Sequence, residues 1–126
     1  MVLTEAELGY LAGLVDSEGC INIKCQQKRY YVLQVIIAQG NEPLLTHWQE
    51  RTGLGHIYAM KKEKTGNKNQ SWQWYLNQED ATTLLYLILP YLILKKEEAK
   101  VALEFRKTLR TQAETTQYIQ PNTPMN

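Results

Sequence analysis

The sequence predicts an α+β domain in which four largely antiparallel strands form one sheet, with helices on one face and the other face open. Two features predict this architecture. Apolar and polar residues alternate over 21–26 and 71–76, which is the period of a half-buried strand. Segments with helix caps and helical spacing stand around these strands, in the order helix, two strands, helix, two strands, helix, helix.

The first helix has a well-defined start. Thr4 and Glu7 form a Thr-x-x-Glu capping box, and Leu3 and Leu8 have the spacing of a hydrophobic staple. We therefore expect the helix to begin at Thr4.

Small residues recur every four positions along this helix, at Gly9, Gly13 and Ser17. This spacing places them on one stripe, where a second backbone can approach closely. A glycine inside a helix costs roughly 1 kcal/mol relative to alanine. The stripe therefore predicts that another element packs there.

Two acids, Asp16 and Glu18, follow at the C-terminal end of the helix. The helix dipole disfavours negative charge at this end by roughly 0.3 to 1 kcal/mol, so we expect a cation to meet them. The alternative is a core helix that Gly19 caps, with both acids in water.

The middle of the chain follows from turn signals and caps. Residues 20–39 have the pattern of a hairpin that turns at 28–31. Asn41 is expected to cap a second helix, with Pro43 in its first turn and Gly53 at its end.

The C-terminal half is expected to add two strands and two helices. The strands are predicted at 56–62 and 71–76, joined by a polar loop over 61–69. The helices are predicted from a cap at Asn77 to Leu89, where Pro90 ends the helix, and from about Leu94 to Thr111. We expect residues 1–111 to form one domain and residues 112–126, rich in Thr, Gln, Asn and Pro, to form a poorly ordered tail.

The composition is typical of a globular domain, with 126 residues of which 44% are apolar. No segment approaches the about 20 uncharged apolar residues of a membrane span, and the acidic N-terminus argues against a transit peptide. We therefore expect an intracellular protein without a membrane partner. Cys20 and Cys25 are expected to be reduced thiols, and His47 and His56 lack the spacing of a helical zinc site.

The net charge of +1 conceals an uneven distribution. Residues 1–21 carry four acids and no base, whereas residues 22–75 carry eight bases against three acids. A basic middle region can neutralise phosphates if its elements share a face. The polar side chains of the first strand point away from the core, where they could reach base edges in a major groove. Ordinary solvated strands are the alternative.

The nine residues from Leu11 to Gly19 read Leu-Ala-Gly-Leu-Val-Asp-Ser-Glu-Gly. This motif resembles the signature of the LAGLIDADG homing endonucleases, with conservative changes at Val15 and Glu18. The resemblance extends over nearly the whole chain, because the family has the αββαββα order and uses the open face of its four-stranded sheet as a saddle on DNA. For a chain with one motif, it implies a homodimer on a long pseudo-palindromic site in double-stranded DNA.

The resemblance also implies how the first helix is used. Two copies would cross at the dimer axis and bring their Glu18 carboxylates side by side beneath the DNA. Glu18 would ligate a metal ion with the Gly19 carbonyl beside it, and Asp16 would be a structural partner at the helix end. The implied ion is Mg²⁺, for which Ca²⁺ or Mn²⁺ can substitute in crystals. The implied dimer interface comprises Gly9, Ala12, Gly13, Val15, Asp16 and Ser17.

Two more catalytic positions carry over from the family by local match. Gln39, at the end of the second strand, corresponds to a residue that positions water. Lys95 matches the family's lysine after a Pro-x-Leu run, which polarises the phosphate or the solvent around it. This chain departs from the pattern at Pro43, where some members have a second basic residue.

The saddle implies a set of DNA contacts. Side chains on the polar face of the strands would reach the groove, and the loop after the third strand would hold phosphates through Lys61 and Lys62. The groove candidates are Asn22, Lys24, Gln26, Lys28, Tyr30, Gln34, Ile36, Tyr58 and Gln73.

Three functions remain open at this point. The first is a site-specific, Mg²⁺-dependent endonuclease that cuts both DNA strands. The second is an RNA-splicing maturase, a role that this family sometimes takes, and the third is an inactive DNA-binding relative, an alternative that the missing base at Pro43 leaves open. Genes of the family lie in introns or inteins, so the compartment stays open between a bacterial or archaeal cytoplasm and an organelle. A chain that begins at Met1 favours an intron product.

Overall fold

The computed structural model describes residues 2–26, 30–61 and 69–119. Its first helix, α1 (Glu5–Glu18), has the predicted capping box. The Thr4 N–H donates to Glu7 Oε1 at 2.9 Å, and Thr4 Oγ1 accepts from the Glu7 N–H at 3.1 Å. The predicted start of α1 is therefore confirmed.

Four strands form one antiparallel sheet, which confirms the predicted fold class. They are β1 (Gly19–Gln26), β2 (Tyr30–Gln39), β3 (His56–Ala59) and β4 (Trp72–Asn77). The strand order is β1-β2-β4-β3, so β1 and β3 form the edges. Since α1 continues directly into β1, the acids at the end of α1 lie at one edge of the sheet.

The described residues contain three more α-helices: α2 (Glu42–Thr52), α3 (Glu79–Ile88) and α4 (Lys96–Ile119). A 3-10 turn over Leu89–Tyr91 follows α3. The predicted signals of α2 are confirmed, because the Asn41 side chain accepts from the Leu44 N–H at 3.1 Å and Gly53 ends the helix with a φ of 71°.

The helices cover one face of the sheet, where Trp74 is fully buried. The Trp74 Nε1–H donates to the Leu54 carbonyl at 2.9 Å, which satisfies its polar atom. This approach requires Gly55, whose φ is 73° and whose hypothetical Cβ would lie 2.7 Å from Trp74 Nε1. The close packing on this face supports the sheet whose opposite face is open. Other fully buried side chains are Leu11, Leu33, Ile37, Leu45, Leu76, Leu84, Leu85 and Ile88.

Two helix boundaries differ from the prediction. Asn77 does not cap α3, because it is still paired with Gln34 as the last residue of β4, and Gln78 takes the N-cap position without a side-chain hydrogen bond. Helix α4 continues to Ile119 rather than ending near Thr111. The sequence has no glycine or proline between Lys96 and Gln120, so nothing breaks the helix earlier.

Gln78 adopts a backbone conformation that glycine tolerates better. Its φ is 52° and its ψ is −115°, and its Oε1 is buried without a hydrogen-bond partner in the described part of the chain. We expect Gln78→Gly to raise the free energy of unfolding by roughly 1 kcal/mol, since strain of this kind costs about 1 to 3 kcal/mol. Urea unfolding measures the change. The matched control, Asn77→Gly in the adjoining strand, should instead lower the stability, and a loss in both variants would contradict the strain argument.

An ion pair ties α2 to the start of α1. The Arg51 guanidinium donates to both Glu7 carboxylate oxygens, at 2.7 and 3.0 Å, and to the Val2 carbonyl at 2.7 Å. Its hydrogen bond, together with that of the Thr4 N–H, lowers the pKa of Glu7 from 4.5 to about 2.

This shift predicts acid sensitivity over a defined range. Because the pKa of Glu7 is lower in the folded state, its contribution to stability is fully present above pH 4.5 and is lost as the pH falls toward 2. We expect Glu7→Gln to flatten the fall of the unfolding free energy over this range. Glu5→Gln is the matched control, because Glu5 makes no ion pair among the described residues. Equal pH profiles for the two variants would contradict the assignment.

Candidate active site and nucleic-acid interface

Glu18 is the last residue of α1, and its side chain is exposed. Within residues 2–26, 30–61 and 69–119, its carboxylate has neither a hydrogen bond nor an ion pair. A negative charge at this end of a helix gains nothing from the helix dipole. The arrangement leaves an anionic oxygen donor available to a ligand outside the protomer.

Gly19 allows the chain to pass directly from α1 into β1. Its φ of −88° is open to any residue, so its backbone conformation does not demand glycine. A Cβ at Gly19, however, would lie 2.7 Å from the Val15 carbonyl oxygen and 2.9 Å from the Val15 Cα. Space at the junction of helix and strand is therefore what requires glycine, and it fixes where Glu18 stands.

Asp16 binds the segment that precedes α4. Its carboxylate oxygens accept from the Ile93 and Lys95 N–H groups, each at 2.9 Å. In return, the Lys95 ammonium donates to the Asp16 carbonyl oxygen at 2.6 Å. Partial burial would raise the pKa of Asp16, but the backbone N–H bonds and the Lys95 charge outweigh it, and the pKa is lowered. Asp16 and Lys95 thus hold the segment that precedes α4 against the end of α1.

Gln39, the third predicted catalytic residue, lies near the junction of α1 and β1 in the sheet register. Gln39 ends β2, two residues beyond Ile37, which pairs with Gly19. Its amide oxygen accepts from the Gly40 N–H at 2.9 Å. Pro43 lies exposed in the first turn of α2, where it supplies no charge.

Among the described residues, one face of α1 has no packing partner within the protomer. A Cβ added at Gly9 or Gly13 would meet no described atom within 4 Å, and Ser17 is exposed with its hydroxyl bonded to the Gly13 carbonyl at 2.9 Å. Ala12 and Val15, by contrast, are fully buried in the protomer's own core. Their side chains have no surface to offer a second copy, so we remove both from the expected interface.

The face of the sheet opposite the helices presents rows of mostly polar side chains. Strand pairing aligns Ala38 with Gln73 and Gln73 with Tyr58, and it aligns Ile36 with Tyr75 and Tyr75 with His56. The Tyr58 and Tyr75 rings meet edge to face at 6.3 Å. Sequence reasoning did not select Tyr75 or His56, although the alternation that selected Gln73 and Tyr58 places both on the same face.

Gln34 was predicted to contact the DNA groove, and its burial argues against this. It lies on the predicted face, yet only 3% of its surface is exposed, because it occupies a central strand between neighbours. The Tyr75 hydroxyl lies 3.5 Å from its Oε1. Gln34 has almost no surface for a base edge, whereas Tyr75 retains some.

Among the other predicted contacts, Lys24, Tyr58 and Lys61 are exposed, and Asn22, Ile36 and Gln73 are partly exposed. Lys28, Lys62 and the side chains of Gln26 and Tyr30 lie outside the described residues. Of the lysines predicted to contact DNA, Lys24 in β1 and Lys61 after β3 are described and exposed. No helix of the described ranges has the length and apolar character needed to span a membrane.

The fold and the motif at the end of α1 place this chain in the LAGLIDADG endonuclease family, whose pattern it matches over residues 11–109. Among similar proteins is the DNA endonuclease I-CvuI of Chlorella vulgaris, which is 28% identical over 111 residues. That match covers 83% of this chain and 66% of I-CvuI, so the chain spans slightly less than two thirds of its relative.

Solved structures agree with the family assignment. The crystal structure of I-CvuI with its target in the presence of 2 mM Ca has a TM-score of 0.69 and 26% identity, covering 86% of this chain and 70% of the other. The archaeal intron-encoded homing endonuclease I-Vdi141I, complexed with DNA, has a TM-score of 0.66 over 85% of this chain and 70% of the other. At 22% identity, this second likeness supports the fold alone.

Proposed function

We propose that the protein is a homodimeric, site-specific endonuclease that hydrolyses both strands of a long pseudo-palindromic DNA site. Two observations carry the proposal: Glu18 is exposed, and within the described part of the chain its carboxylate has no partner and the glycine face of α1 is uncovered. A second copy crossing at that face would bring the two carboxylates together, which explains why acids stand at the end of a helix.

The open face of the sheet supports DNA as the partner. Its side chains include amides, hydroxyls and ammonium groups that can hydrogen-bond base edges or phosphates. The region from residue 22 to 75 carries eight of the chain's bases against three acids. We assign base contacts to Asn22, Lys24, Tyr58, Gln73 and Tyr75, and phosphate contacts to Lys61.

The donors at the junction fit a hard divalent cation such as Mg²⁺. No group of three His, Cys, Asp or Glu side chains that could hold a metal ion occurs in the described ranges, and in our proposal the two protomers share the site. Mg²⁺ commonly uses one or two carboxylates together with substrate phosphates and water, and one Glu18 from each protomer suits that pattern. The bound ion would supply charge stabilisation and an activated water.

The remaining tasks fall to residues around Glu18. We assign to Asp16 the positioning of α4 and of Lys95, whose ammonium lies beside the end of α1 through its 2.6 Å bond to the Asp16 carbonyl. In this scheme Lys95 stabilises negative charge at the scissile phosphate, and Gln39 orients solvent. No side chain acts as a covalent nucleophile in this scheme. Water attacks the scissile phosphorus in line and loses a proton to solvent, while the opposite bond between phosphorus and a sugar oxygen breaks and that oxygen takes up a proton from solvent.

A DNA library tests the proposal directly. The protein is incubated with random double-stranded DNA in Mg²⁺, and cut ends are sequenced, with EDTA and the Glu18→Gln protein as blanks. We expect cuts at one related set of sites that disappear in both blanks. Selective binding without cuts would instead identify a DNA-binding relative, the alternative that Pro43 leaves open because no base stands at that position. Selective RNA binding alone would identify the maturase alternative.

A further inference from the structure

Three aromatic side chains stand together on the open face of the sheet, at its β3 edge. His56 and Tyr58 are exposed in β3, and Tyr75 is partly exposed beside them in β4. The centroid of the Tyr58 ring lies 6.4 Å from that of His56 and 6.3 Å from that of Tyr75. We call these three side chains the aromatic cluster. Contiguous exposed rings of this kind are typical of a binding surface.

The ring orientations leave faces of the cluster open to a ligand. The Tyr58 and Tyr75 planes lie at 81°, and the His56 and Tyr58 planes lie at 51°. An edge-to-face contact directs the edge of one ring at the face of the other, so it covers at most one face of the pair. Because 56% of Tyr58 is exposed, the ring at the centre of the cluster is accessible to solvent.

The charges around the aromatic cluster favour an anionic ligand. None of the strands β1 to β4 contains an acidic residue. Lys61 is exposed two residues beyond the end of β3, and Glu18 lies at the start of β1, the opposite edge of the sheet. A surface with a cation beside it and no acid on its strands attracts a polyanion. Flat aromatic faces and a negative backbone are combined in a nucleic acid.

The faces of the rings match unpaired bases better than paired ones. In a duplex the bases stack on one another, and the grooves expose only their edges. An unpaired strand exposes whole base faces, which stack on exposed aromatic side chains in many proteins that bind single-stranded RNA or DNA. A cluster that offers ring faces on an open sheet therefore has its best partner in a single strand.

We propose that the aromatic cluster binds single-stranded nucleic acid by stacking unpaired bases on its rings, with Lys61 on the phosphates. The inference goes beyond the proposed cleavage of duplex DNA and does not rest on it, because stacking requires neither a metal ion nor a second copy of the chain. RNA and single-stranded DNA share the chemistry that the rings recognise.

Fluorescence anisotropy in EDTA tests the proposal with three labelled strands of about 12 nucleotides, a length within the range that one small single-strand-binding domain covers. They are oligothymidylate, oligouridylate and a strand of abasic deoxyribose units with the same number of phosphates. We expect a base-bearing strand to bind at least about tenfold more tightly than the abasic strand, because only bases can stack. Tight binding of one base-bearing strand alone would support the proposal and identify DNA or RNA as the ligand. Equal affinity for all three strands would overturn it.

Variants of Tyr58 separate stacking from other contacts. We expect Tyr58→Leu to weaken binding of the tighter strand about fivefold or more, whereas Tyr58→Phe, which keeps the ring, should restore most of that affinity. The matched control is Tyr86→Leu, which removes a 48% exposed tyrosine from α3 on the helical side of the sheet. Circular dichroism checks that each variant is folded. An unchanged affinity in Tyr58→Leu, or an equal loss in the control, would overturn the proposal.

Photocrosslinking locates the bound strand. A strand that carries iodouracil is irradiated with the protein, and the attached peptides are identified by mass spectrometry. We expect attachment within β3 or β4, and attachment confined to the helices would overturn the proposal. Since these measurements use EDTA, a protein that binds single strands but cuts no duplex would leave this inference standing and end the proposed function. Duplex cleavage without single-strand binding would do the reverse.

Discussion

Replacing Glu18 with glutamine is expected to reduce DNA cleavage about 10³-fold, the upper end of the loss when one preorganised transition-state contact is removed. The amide has the size of the carboxylate but no charge, and a hard cation requires an anionic oxygen. Since Glu18 has no hydrogen-bond or ion-pair partner in the described ranges, the unfolding free energy should not fall, and it should rise slightly because a negative charge leaves the C-terminal end of α1. Single-turnover cleavage with excess enzyme measures the rate, and a gel-shift titration measures DNA affinity.

The control for this variant is Glu50→Gln. Glu50 is an exposed acid of α2, and the same change there removes one charge without touching α1. We expect it to cleave like the wild type. Full cleavage by Glu18→Gln would mean that the catalytic carboxylate lies elsewhere, and a parallel loss in Glu50→Gln would indicate an effect of net charge alone.

Local signals in the sequence were sufficient to predict the helices and strands around Glu18. The Thr4 capping box, the Asn41 cap and the strand alternation each act within a few residues, so they are visible without a structure. The resemblance of Leu11 to Gly19 to a family motif then indicated the candidate active site at the end of the first helix. Strand parity also assigned side chains to the open face.

What the sequence missed depends on distant neighbours. Asp16 bonds to Ile93 and Lys95, which are 77 and 79 residues away, and no local pattern indicates that contact. Parity placed Gln34 on the open face, but its exposure depends on the bulk of residues in adjacent strands. The resemblance to the family placed Ala12 and Val15 in a dimer interface, although the protomer buries both. A motif shows which residues belong together, whereas packing decides which of them have surface left.

Replacing Gly19 with alanine should have the largest effect on stability. The added Cβ would stand 2.7 Å from the Val15 carbonyl oxygen and 2.9 Å from its Cα, and neither backbone atom can rotate away. Val15 is itself fully buried, so relief requires the end of α1 to move away from β1. We expect a loss of roughly 2 to 3 kcal/mol in the unfolding free energy, in the upper range for overpacking. Urea unfolding at fixed protomer concentration measures it.

The same variant separates the position of Glu18 from the stability of the fold. Gly40→Ala is the matched control, because a Cβ there meets only the Gln70 carbonyl oxygen, at 4.0 Å, and its unfolding free energy should stay level or rise slightly. At a temperature where both variants are folded, Gly19→Ala should still cleave more slowly, since the carboxylate one residue earlier has shifted. Wild-type stability and cleavage in Gly19→Ala would show that the junction of α1 and β1 can yield. In that case the contact with Val15 would not be what fixes the catalytic acid, and its position would have to come from the partner protomer or from the DNA.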